Sequence, residues 1–144
     1  MQKFLVPVLA ALTCLSWPLT APTAVAQPAE MISIQLNEAV TVDDACRLTF
    51  VIRNDLADTV QALGLDLVVF DTSEGVSGYA AVDFGGLPAG KTRVRQYDVL
   101  KGDCASIARV LLNDVRACEI GGSAGADCLP LLRLSSRSDI DLIL

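Results

Sequence analysis

Four cysteines, Cys46, Cys104, Cys118 and Cys128, are the residues best equipped for chemistry in this chain, and their spacing limits what that chemistry can be. Thiol–disulfide catalysts favour a close pair such as Cys-x-x-Cys at a helix start, whereas the nearest pair here is separated by nine residues. A four-cysteine zinc site calls for two short paired spacings, and these are absent. Structural disulfides are therefore the expectation, with a thiol–disulfide redox factor as a further alternative. No metal or cofactor site is expected.

The chain has no histidine. That removes a neutral-pH general base, the Ser-His-Asp and Cys-His nucleophiles and the commonest transition-metal ligand together. Gly121-Gly122-Ser123-Ala124-Gly125 matches the literal Gly-x-Ser-x-Gly pattern, but a nucleophile elbow needs a strand before it, a helix after it and a histidine partner. None of the three is in view. No catalytic residue is assigned, and the protein is not expected to be an enzyme.

Two loops carry paired carboxylates that suggest a small-ligand or calcium-ion binding protein as the alternative function: Asp71 with Glu74, and Asp98 with Asp103. Neither has an EF-hand spacing, so solvated acidic loops are preferred. Lys91, Arg93 and Arg95 stand out for the opposite reason, as three like charges at alternate positions of an acidic protein. On an edge strand such residues discourage sheet-to-sheet pairing. They also offer a possible docking face for an acidic partner.

The compartment follows from the N-terminus. Lys3, the apolar stretch Phe4 to Leu15 and the small-residue pattern Ala24-Val25-Ala26 read as a signal peptide over residues 1–26, cleaved to leave Gln27 first. Thr13, Ser16 and Pro18 break the run short of the roughly 20 apolar residues of a membrane anchor. No stable membrane insertion is expected after cleavage. Cys14 lacks the preceding residues that lipoprotein processing prefers, and no twin-arginine pair is present, so the general secretion route to the periplasm is expected. An oxidising compartment is where four cysteines pair.

Residues 27–144 are enough for one domain and carry 10 basic against 17 acidic groups. Such a balance gives no footing to nucleic acid. Period-two alternation runs through most of this part. Ile32, Ile34 and Leu36 mark one strand; Cys46, Leu48, Phe50 and Ile52 mark a second that stops at Asn54-Asp55. Leu63, Leu65, Leu67 and Val69, with Val68 and Phe70 on the opposite face, mark a strand central in its sheet. Asp71 to Gly78 reads as a loop, followed by a short strand through Ala80, Val82 and Phe84.

After the turns of Gly85 to Gly90, Lys91 to Val99 reads as a strand with Thr92, Val94 and Gln96 inward and Lys91, Arg93 and Arg95 in solvent. Cys104, Ser106, Ala108, Val110 and Leu112 form the next inward face, which is expected to end in a turn at Asn113-Asp114. Leu129 to Leu134 and Ile140 to Leu144 complete the last one or two strands. About seven short strands fit a single all-β, immunoglobulin-like β-sandwich; a closed barrel is the alternative.

Four cysteines allow three connectivities. Because Cys46 and Cys104 both face inward by alternation, a bridge between them would join the two sheets, leaving Cys118 and Cys128 to close the glycine-rich segment. Cys104 to Cys118 is the chief alternative.

The stretch Cys46 to Asp103, with Leu48-Thr49-Phe50-Val51-Ile52-Arg53-Asn54, Val68-Val69-Phe70-Asp71 and Leu87-Pro88-Ala89-Gly90-Lys91, resembles FxLYD-type and related immunoglobulin-like bacterial exported domains. The segment Asp103 to Val115, followed by Cys118 and Cys128, is similar to small alphaproteobacterial periplasmic proteins of unknown function, often labelled only as Tat pathway signal sequence domain proteins. The resemblance implies a β-sandwich and a periplasmic address, and it brings no catalytic residues. The expected function is a non-catalytic binding or accessory module that contacts a periplasmic protein.

Overall fold

Apolar side chains at every second position can be buried on one face of a strand, and two such faces closed on each other make a core. The computed structural model describes residues 30–144, in which nine strands follow one another: β1 (Ile32–Val42), β2 (Ala45–Asn54), β3 (Val60–Asp71), β4 (Val76–Asp83), β5 (Thr92–Lys101), β6 (Ile107–Ile120), β7 (Ser123–Ala124), β8 (Leu132–Ser136) and β9 (Asp141–Ile143). Seven of them have five residues or more. The expected signal peptide, Cys14 and the cleavage site before Gln27 lie outside the described residues.

One sheet has the order β5-β2-β1-β8 and the other β4-β3-β6-β7, with β9 also paired to β6. Strands β1, β2 and β5 on one side, and β3, β4 and β6 on the other, follow the partition of an immunoglobulin-like sandwich. The C-terminal strands depart from it: β8 runs parallel to β1, and β9 parallel to β6. Among the described residues no helix is long and apolar enough to cross a membrane.

The core is built from the alternating residues. Ile32, Ile34 and Leu36 of β1, Cys46, Leu48, Phe50 and Ile52 of β2, and Leu63, Leu65, Leu67 and Val69 of β3 are all buried in one cluster. Strand β3 is central, held by β4 on one side and β6 on the other. Both disulfides form with the preferred connectivity. Cys46 opens β2 in one sheet, and Cys104 lies in a 3₁₀ turn, Cys104–Ser106, that feeds β6 in the other. Their bond therefore ties the sheets together.

Three sequence expectations need correction. First, β6 does not turn at Asn113-Asp114; it pairs with β3 from Ile107 to Ile120, and register shifts absorb the residues that break the alternation. A polar pair that reads as a turn is tolerated inside a strand when it faces solvent and a bulge re-aims the chain. Second, the loop after β3 is shorter than Asp71 to Gly78, because β4 already begins at Val76. Asp71 closes that turn by accepting from the Ser73 and Gly75 amides at 2.8 and 3.0 Å.

Third, the faces of β5 are reversed. Pairing with β2 sets Arg93 opposite Ile52 and Arg95 opposite Phe50, both of which face the core. Val94 and Gln96 instead lie opposite Val51 and Thr49 on the outer face, where Val94 is 58 % exposed. An edge strand takes its facing from the register of its single neighbour, and a one-residue slip inverts every side chain. Val99, in step with Arg93, Arg95 and Tyr97, is buried on the same core-side face, next to the register shift at Cys46/Arg47.

Candidate functional site: the basic edge strand

Strand β5 is reached through a turn that the buried end of β2 holds in place. Asn54 is fully buried; its side-chain amide donates to the carbonyls of Asp58 and Leu87, each at 2.9 Å, and its side-chain oxygen accepts from Leu56 N–H at 3.0 Å. Its backbone adds two more bonds, donating to Lys91 and accepting from Gly90. Gly90 has φ 69°, a left-handed conformation that glycine adopts without Cβ strain. Turn residues chosen for conformation thus deliver Lys91 to the start of β5.

Further along, Tyr97 seals the seam between the sheets. Its ring packs with Phe50 and Phe84, at centroid distances of 6.2 and 5.8 Å, while its hydroxyl donates to the Asp83 carbonyl at the end of β4. Burial raises the phenol above its ordinary pKa, the Arg95 charge opposes that shift and the Asp83 charge adds to it.

The cations on and beside β5 are grouped, and none has a carboxylate; Arg133 and Arg137, near β8, are the other two without an ion pair among the described residues. Arg47, Arg53, Arg109 and Arg116 each hold a carboxylate, namely Asp98, Asp55, Glu74 and Asp66. Lys91, Arg93, Arg95 and Lys101 make no ion pair among the described residues. The one acid on the strand, Asp98, is taken by Arg47 through two bonds of 2.7 and 2.9 Å. Arg47 holds that carboxyl below its usual range, first by the hydrogen bond and then by its charge. Lys91 and Arg95 are exposed and Arg93 is half-buried, all along the margin of the sandwich. Such a row can meet carboxylates without first breaking internal pairs.

The acidic loops offer less. Asp103 accepts from the Ala105 amide at 2.9 Å and the Thr41 hydroxyl at 2.8 Å, and these bonds hold its carboxyl below the ordinary range. The same Thr41 hydroxyl accepts from the Cys104 amide, fixing the turn that carries the disulfide. Asp71 serves its own turn and Glu74 pairs with Arg109, so neither expected pair converges on a common point. Among the described residues no group of three histidine, cysteine or acidic side chains could hold a metal. A cleft of 670 Å³ beside Asp103 is lined by side chains of both signs, among them Glu38, Arg137 and Asp139.

The glycine-rich motif is a hairpin. Gly121 and Gly122 have φ of 58° and 80°, the pair of left-handed residues that a tight two-residue turn demands, and they fold β7 back onto β6. Gly125 N–H then donates to the Cys118 carbonyl, which brings the chain round to Cys128.

An apolar row on the outer face of the second sheet went unrecognised in the sequence. Tyr79, Val68, Leu111 and Ile143 lie side by side across β4, β3, β6 and β9, and Tyr79 is 76 % exposed. Its signal was present in Val68 and Phe70, which make both faces of β3 apolar. In the neighbouring row, the Arg109 guanidinium sits over the Phe70 ring at 5.1 Å from the centroid.

The chain matches no protein-family model and no curated protein. Among solved structures it is similar to IrmA from Escherichia coli, with a TM-score of 0.52 and 12 % identity over 72 % of this chain and 90 % of that one. The likeness is one of fold. It supports the two-sheet sandwich read from the strand order and carries no residue of the basic edge with it.

Proposed function

We propose that this protein is an exported, non-catalytic accessory module of the periplasm that binds an acidic protein partner along β5. The carrying observation is that four of the six cations without a carboxylate partner among the described residues, Lys91, Arg93, Arg95 and Lys101, are grouped on and beside one edge strand of a chain with 17 acidic groups. Two disulfides suit the oxidising address that residues 1–26 suggest.

Polyglutamate titrated against the purified exported protein tests the docking surface. Binding should weaken as salt rises and fall at least tenfold in a variant carrying Lys91→Glu, Arg93→Glu and Arg95→Glu. Arg137→Glu, just past β8 at the opposite edge of the same sheet, serves as the control and should leave it unchanged. Equal loss in both variants, or no loss in the triple variant, rejects the assignment.

A further inference from the structure

We propose that β5 takes its partner as an added strand: an extended segment with acidic side chains at alternate positions and β-branched ones between them. This rests on the reading of β5 as the docking surface and goes further, to the mode of binding and the sequence pattern recognised. Strand β5 is ten residues long and pairs with β2 alone, at the end of its sheet. Its outer row of backbone donors and acceptors is therefore open among the described residues, which is the template that strand addition uses.

The two faces of β5 then dictate the two halves of the pattern. An incoming strand places its side chains directly opposite those of β5, about 4.5–5.5 Å apart between Cβ atoms. On the core-side face the residues to be met are Arg93 and Arg95, with Lys91 just beyond the strand; each calls for a carboxylate. On the outer face they are Thr92, Val94 and Gln96. Val94 is 58 % exposed and already pairs with half-buried Val51, so a β-branched residue laid beside it would extend an apolar step begun by β2.

The same charges reject competing strands. Two copies of β5 brought edge to edge would set arginine near arginine, and like charges facing each other across strands are unfavourable. Arg93 and Arg95 thus discourage self-pairing while leaving the backbone edge available to an acidic segment. Each opposite-charge pair contributes about 1.4- to 5-fold in affinity.

The test uses two peptides of identical composition, one alternating glutamate with valine and threonine and one with its glutamates in a block. Fluorescence anisotropy reads affinity, and amide hydrogen exchange reads protection along Thr92–Lys101. The alternating peptide should bind on the order of tenfold tighter and protect alternate amides of β5. Replacing Arg93 and Arg95 by glutamine should weaken it several-fold without moving the thermal midpoint, and by glutamate should abolish it. Equal binding of both peptides with no protected amides would overturn strand addition and leave electrostatic docking standing. Binding of neither overturns both.

Discussion

The side chain of Asn54 donates to the Leu87 carbonyl at 2.9 Å across 33 residues of sequence, joining the end of β2 to the turn that launches β5. The same carbonyl also accepts from Val60 N–H, so one junction gathers β2, β3 and the approach to the basic edge.

Asn54→Ala should therefore be costly. It removes three side-chain hydrogen bonds at a buried position and leaves the Leu56 amide without its partner, which amounts to about 2–3 kcal/mol. Urea denaturation should show a lower midpoint with an unchanged slope. A loss under 0.5 kcal/mol, roughly the scatter of surface substitutions, would contradict the role given to this residue.

Both disulfides should matter, and unequally. By loop-closure entropy, the 58-residue separation of Cys46 and Cys104 is worth about 4 kcal/mol and the 10-residue separation of Cys118 and Cys128 about 3 kcal/mol. Paired alanine substitutions followed by chemical denaturation should preserve that order. The unreduced exported protein should have a mass starting at Gln27 and no free thiol.

Acid should weaken the fold partly through Asp103. Its carboxyl titrates lower in the native state than when unfolded, so its stabilising effect is present above the ordinary aspartate range and is lost as pH falls through the depressed value. Asp103→Asn should flatten the acid limb of a stability–pH curve while leaving the neutral and alkaline regions parallel to wild type.

Alkali should act through Tyr97 with the opposite sign. Because its native pKa is raised, the stabilising effect is complete below pH 10.0, the unfolded value, and is lost as pH climbs towards the native one. Tyr97→Phe keeps the contacts with Phe50 and Phe84 and should remove that alkaline loss. An identical alkaline slope in both proteins would assign it to other groups.

Legibility in the sequence tracked burial. The cores of β1, β2 and β3 were readable because a strand with one buried face must alternate, and Cys46 and Cys104 fell into line with that alternation. The facing of β5 was readable only at its far end: Tyr97 and Val99 share the face of Arg93 and Arg95, but the first half, of arginine, valine and glutamine, has no face that must be buried, so the register with β2 decides there. Strand β6 was cut short at Asn113-Asp114 for a related reason, since a bulge lets a polar pair stay in a strand at no local signal. Asn54 read as turn chemistry; that its amide reaches Leu87 depends on a loop returning from 33 residues away.

Composition and spacing alone determined the strand-rich class, the pairing that two inward cysteines favour and the absence of any histidine to catalyse with. Those properties live in single residues and their neighbours. The tertiary structure decided which cations go unpaired and which strand is left at an edge. An ion pair and a sheet order both depend on distances between segments far apart in the chain, and no local pattern encodes them.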